Sequence, residues 1–172
     1  LVGFLFKITA VPFHMWSPDV YEGAPTPITA FFLIVPKAAL FGVFLRIFLE
    51  SFYDFLLPWQ KILLVSSICS MILGSVAALS QTRIKRLLAY SSIGHVGYLL
   101  AGFACGTVEG IQALLIYLFV YIFMNINMFA FILCGMRREN LQTIPRIKYI
   151  TDLAFLAKTQ PVLALTFTIT MF

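Results

Sequence analysis

Charge is scarce in this sequence of 172 residues: 11% are charged against 61% hydrophobic, and the mean hydropathy is +0.97. That scarcity excludes an ordinary soluble domain, in which about a quarter of the residues are charged. Segments of alternating apolar and polar residues are also missing, which excludes a membrane β-barrel. Cysteine is rare, and Cys69, Cys105 and Cys134 stand singly in apolar stretches with no CxxC or Cys/His spacing. Iron–sulfur, haem and zinc ligation are therefore not expected, and each thiol reads as a buried small hydrophobe. No phosphate-binding loop and no nucleophile-and-base pattern occurs, so covalent catalysis is not expected either. There is no basic segment leading into a short apolar stretch and cleavage site, hence no signal peptide. An initiator methionine is lacking and residues 166–172 stop inside an apolar run. Both ends read as cut through helices, and the chain is expected to be a piece of a longer protein.

What is present is a series of long apolar runs. A helix satisfies its own backbone hydrogen bonds in lipid, and about 20 apolar residues cross a bilayer core of about 30 Å. The predicted fold is an all-α polytopic transmembrane bundle forming a single domain. Complete spans are predicted over 28–49, 59–80, 87–106 and 111–136, with partial spans over 1–13 and 160–172. The stretch 14–27 reads as a loop or helix break, punctuated by Pro18, Gly23, Pro25 and Pro27. Between Pro145 and Pro161, apolar residues at helical spacing suggest an interfacial helix over about 146–158, or else an ordinary connector packed on the bundle.

The net charge of +5 does not indicate nucleic acid. Arg83, Lys85 and Arg86 share one connector, and Arg137, Arg138, Arg146, Lys148 and Lys158 another two spans later. Both connectors lie on one side, which the positive-inside rule makes the non-translocated one. The 14–27 segment falls on that basic side yet carries Asp19 and Glu22, an exception that argues for a special role or a partner there.

Lys37 is the most informative residue. It follows Pro36 near the middle of a clear span, where a cation costs about 2.5–3.5 kcal/mol on insertion scales. Either interface is about 15 Å away, too far for snorkelling. Lys37 must then face the interior, pair with an acid, sit beside water or lose its proton. A lysine that can do the last is a reversible proton carrier; the alternative is a structural ion pair. Lys7 precedes Pro12, where the helix should break, and could be an ion-binding group at an interrupted helix or an interfacial anchor. His95 lies within a run of hydroxyls and tyrosines, Tyr90 to Tyr98, and suits either a proton relay or hydrogen-bonded packing. His14 reads as structural. Asn125 and Asn127 read as amides bonding across helices for packing, with a channel lining as the alternative. The pair Gly102/Gly106 and the series Ser70/Gly74/Ala78 indicate close helix contact. No acidic residue lies inside a complete span, so a counter-charge for Lys37 is expected from outside this chain.

Three stretches carry a resemblance: Gly3-Phe4-Leu5-Phe6-Lys7, the run from Pro12-Phe13-His14-Met15-Trp16-Ser17-Pro18 through Asp19-Val20-Tyr21-Glu22-Gly23 to Pro27, and Ala78-Leu79-Ser80-Gln81-Thr82-Arg83 through His95. Together the chain resembles the antiporter-like membrane subunits of respiratory complex I, nearest their subunit 2 branch in plant or algal mitochondria. The resemblance implies a fourteen-helix subunit built from two inverted repeats with broken helices, of which this chain spans the seventh to the early twelfth helix. It makes Lys7, Lys37 and His95 members of a proton relay, with an acidic partner of Lys7 and a later lysine lying elsewhere. It implies proton translocation coupled to quinone reduction, with no cofactor in this chain. NADH, FMN, iron–sulfur clusters and ubiquinone belong to other subunits. It further implies a multi-pass place in the mitochondrial inner membrane. The partners would be lipids, other membrane-arm subunits including neighbouring antiporter-like ones, and a second chain if one completes the subunit. A multi-subunit cation/proton antiporter and a non-conducting scaffold remain the alternatives.

Overall fold

A computed structural model describes residues 1–137, 149–153 and 161–171. Its helices are α1 (Val2–Ile8), α2 (Ser17–Gly23), α3 (Thr26–Arg46), α4 (Leu56–Leu79), α5 (Ile84–Ala104), α6 (Val108–Arg137) and α7 (Pro161–Met171). A π-turn (Ile47–Ser51) and a 3-10 turn (Tyr53–Phe55) join α3 to α4. Among the described residues four helices are long and apolar enough to cross a membrane: Thr26–Ser51, Leu56–Leu79, Ile84–Ala104 and Val108–Leu133. Each starts two or three residues before the apolar run does. In α3, α5 and α6 polar first turns cause the difference, since Thr26, Lys85, Arg86 and Glu109 sit at helix starts where hydropathy falls but helical geometry continues; α4 instead begins on Leu56, Leu57 and Pro58. Prolines in the first turns of α2 and α3 have no N–H to leave unsatisfied there.

The 14–27 stretch is not simply a loop. It contains α2, so the chain here is a helix broken into α1 and α2. α1 stops at Thr9, which has φ 69° and ψ 34°. The Thr9 N–H bonds Phe6 O and the Ala10 N–H bonds Leu5 O, a Schellman closure. Glycine usually takes that position; a β-branched residue there costs about 1–3 kcal/mol. The break is held from outside by α4, whose Ser70 Oγ accepts from Val11 N–H (2.9 Å) and whose Ser66 Oγ donates to Val11 O (2.7 Å).

α4 and α5 form a close antiparallel hairpin. A Cβ on Gly74 would stand 2.6 Å from Gly94 N, and one on Gly97 would stand 2.9 Å from Met71 N. Ser67 Oγ fills the contact by donating to Gly97 O at 2.7 Å. Gly102 performs the same service toward α6, lying against Gly110 and Leu114. Gly106, by contrast, is needed for its positive φ of 62° at the turn after α5.

Other expectations change. Cys69 and Cys105 are exposed rather than buried, because in a membrane bundle an apolar run has two apolar destinations, the core and the lipid. The side chain of Cys134 lies outside the described residues. The predicted interfacial helix lies mostly outside them as well. Its described part is an antiparallel bridge between Tyr149 and Arg83 followed by a 3-10 turn, Ile150–Leu153. Ile150 N–H bonds Thr82 O at 3.0 Å, and Leu153 packs on the core. That part is a connector docked on the α4–α5 turn.

Candidate functional site: a polar layer at mid-bundle

Two apolar clusters fill the bundle. One gathers Phe41 and Phe44 of α3, Val96, Leu99 and Phe103 of α5, and Leu114 of α6. The other gathers Leu33 of α3, Leu88 and Ala89 of α5, and Met128, Phe129 and Ile132 of α6. On each of the three helices polar side chains lie between the two clusters. α3 supplies Lys37, one turn from Leu33 and one turn from Phe41. α5 supplies Ser92 and His95, and α6 supplies Tyr117, Tyr121 and Asn125. Helical periodicity thus places one polar layer across the middle of the bundle.

Lys37 is 1% exposed, and its Nζ donates to Ser92 Oγ at 3.1 Å. Ser92 spends its own hydrogen on Ala89 O (2.6 Å), so it presents a lone pair to the lysine. Among the described residues no carboxylate pairs with Lys37. Pro36 removes the N–H that Phe32 O would otherwise accept, and the next carbonyl along, Leu33 O, takes the Tyr121 hydroxyl at 3.3 Å.

His95 is half-buried one turn from Ser92, on the same face of α5. Its Nδ1 bonds Tyr117 Oη at 2.7 Å, and its ring packs 5.6 Å from that of Tyr121. A cavity of about 170 Å³, lined by Ser91, Ser92, His95, Asn125, Met128 and Thr170 among others, adjoins these groups. It has room for about five waters at liquid density. Lys37 reaches this cavity through Ser92. Asn125 donates to Tyr121 O of its own helix (2.8 Å), makes no bond across helices among the described residues, and lines the cavity. Asn127 is exposed.

Lys7 stands apart. It is exposed in the last turn of α1 and makes no hydrogen bond or ion pair among the described residues. His14 is buried at the break, and its Nδ1 and the Thr9 hydroxyl are without protein partners among the described residues.

Asp19 and Glu22 find their partners within the chain. Arg83 pairs with Glu22, and Arg86 pairs with both Asp19 and Glu22, the latter at 2.8 Å. Lys85 Nζ donates to Ala24 O at 2.8 Å. Basic side chains at the start of α5 are unfavourable to its own dipole, and the acids of α2 offset them. The acidic exception and the basic helix start explain each other.

A family model described as "NADH:quinone oxidoreductase/Mrp antiporter, TM" matches residues 1–172. The chain belongs to that family. Among curated relatives it is 61% identical to NADH-ubiquinone oxidoreductase chain 2 of Marchantia polymorpha, over 99% of this chain and 33% of the relative. It is 49% identical to NADH-quinone oxidoreductase subunit N of Rhodospirillum rubrum, over 100% of this chain and 34% of the relative. The chain therefore spans about a third of the length of these relatives. Among solved structures it matches respiratory complex I from Thermus thermophilus with bound aureothin, with TM-score 0.77 and 35% identity over 99% of this chain and 35% of that one. The Mrp complex from Dietzia matches with TM-score 0.85 and 21% identity over 98% of this chain and 30% of that one, a likeness of fold alone. The all-α antiporter-like membrane fold follows from these matches and from the four spans.

Sequence reasoning reached Lys37 and His95 because a charged or titratable side chain in a span is costly. It did not reach Ser92, Tyr117 or Tyr121 as their partners. Hydroxyl residues abound in these helices, and only the apolar clusters above and below them could have singled these three out.

Proposed function

We propose that this chain is part of a proton-translocating membrane subunit of an NADH:quinone oxidoreductase of the respiratory complex I type, seated in the mitochondrial inner membrane. The observation that carries the reading is Lys37, buried with no carboxylate paired to it among the described residues, bonded to Ser92 and thereby joined to a cavity that His95 lines. A lysine held this way can exchange a proton with water in the cavity, and His95 can take part in the same exchange. Lys7 joins the relay when an acidic group from outside this chain covers it. Proton movement is driven by quinone reduction on other subunits, which also hold NADH, FMN, the iron–sulfur clusters and ubiquinone. Partners are neighbouring membrane-arm subunits and lipids.

Replacing Lys37 with Met in the assembled complex tests this. NADH-driven proton transport into vesicles is expected to fall about a hundredfold or more with assembly intact, the loss that removing a proton-transferring side chain typically causes. Normal transport with normal assembly would instead favour a scaffold. Purification of the chain with cation/proton antiporter subunits and without an NADH-oxidising assembly would favour the antiporter reading.

A further inference from the structure

The polar layer contains one contact that the relay as stated does not use. His95 lines the cavity and its Nδ1 is bonded to Tyr117 Oη at 2.7 Å, which leaves Nε2 as the nitrogen not engaged by that bond. We propose that Tyr117 is a positioning residue that holds Nδ1 of His95 and confines proton exchange to Nε2, making His95 a one-sided proton store beside the cavity rather than a through-conduit. The inference rests on the relay reading above.

The hydrogen-bond inventory supports it. A tyrosine hydroxyl both donates and accepts. When Nε2 carries the proton of the neutral ring, Tyr117 donates its hydrogen to Nδ1. When Nδ1 carries it, Tyr117 turns its hydrogen away and accepts. When both nitrogens are protonated, Nδ1–H again donates to Tyr117. The ring therefore keeps one orientation through every protonation state, and the store works between the neutral ring with Nδ1–H held on Tyr117 and the doubly protonated ring, the proton gained or lost passing at Nε2. Packing fixes the tyrosine in turn: its ring lies 6.0 Å from His95 and 5.9 Å from Tyr98. Tyr121 covers another side of the imidazole, 5.6 Å between centroids, and its own hydroxyl is engaged with Leu33 O. Of the two tyrosines that α6 turns toward His95, Tyr117 is the one bonded to its nitrogen.

The test is the pH profile of proton transport per electron in the assembled complex. Groups around His95 that titrate are Lys37 on α3 and Tyr117 and Tyr121 on α6, with Tyr98 on α5 packed against Tyr117. Tyr117→Phe keeps the ring and removes the hydroxyl. Transport per electron is expected to fall about fivefold, the factor that losing one hydrogen bond of ordinary strength gives, and the pH profile is expected to move. In a His95→Gln background Tyr117→Phe should add nothing. A further loss there, or an unmoved profile in the His95 background, overturns the inference while leaving the relay reading intact. If His95→Gln alone leaves transport unchanged, the relay reading of His95 fails and this inference falls with it. Fluorotyrosine at 117 keeps the shape and makes the hydroxyl more acidic. It should move the profile even if Tyr117→Phe does not assemble, and an unmoved profile then overturns the inference.

Discussion

Lys37 is bonded to a hydroxyl rather than to a carboxylate among the described residues, and that has a consequence for its chemistry. A carboxylate partner would stabilise the ammonium strongly in a low-dielectric interior and hold its proton. Ser92, with its hydrogen committed to Ala89 O, can accept from an ammonium or, more weakly, from an amine. The contact therefore positions Nζ without dictating its charge. Ser92→Asp is expected to hold the proton on Lys37 and stop transport while the complex still assembles. The check is proton uptake by vesicles at matched complex content, and full uptake would show that the hydroxyl is not needed to keep the lysine exchangeable. At this scale the sequence was legible wherever energy cost singles a residue out, as at Lys37. It was misleading at Cys69 and Cys105, whose apolar neighbours are equally consistent with facing the lipid. Lys7 shows the same limit from the other side, since a helix break attracts functional lysines but does not say what covers them.

Between helices, the joints are made by glycine and by charge. Gly74 lies against the backbone of α5, where no side chain can move aside. Gly74→Ala should cost about 1–3 kcal/mol through overpacking, read as a lower unfolding midpoint in detergent. An unchanged midpoint would mean that the hairpin is looser than described. The α2–α5 joint is electrostatic and partly exposed, so each pair is worth about 0–1 kcal/mol. Glu22→Arg should weaken the docking of α2, seen as faster proteolysis within 14–27. Adding Arg83→Glu should restore much of the protection; a double variant no better than the single would show that the pair does not set the joint. Span positions were legible in hydropathy because length and apolarity are a strong joint signal. α2 was not, because Pro18, Gly23 and Pro25 read as punctuation although Pro18 lies in a helical first turn, where proline is tolerated.

For the molecule as a whole, the arrangement of α3, α5 and α6 into one polar layer between two apolar clusters is a tertiary property. Nothing in local sequence states that Lys37 and Ser92 will meet across 55 positions. Sidedness is an expectation from loop charge and can be checked directly. With the native cysteines replaced, Thr82→Cys and Glu109→Cys stand at opposite ends of α5 and should be labelled by an impermeant maleimide from opposite sides of the membrane. Labelling from the same side would contradict the arrangement of spans described above.

The ion pairs joining α2 to α5 also bear on how such a chain is made. Arg83 and Arg86 count toward orientation while the helices are being inserted, because the positive-inside bias reads basic residues and largely ignores acidic ones. Once α2 docks, Asp19 and Glu22 neutralise the same arginines. The finished protein therefore no longer displays the full charge that oriented it. The arginines act twice in succession, first as a signal to the insertion machinery and then as mortar between two finished helices.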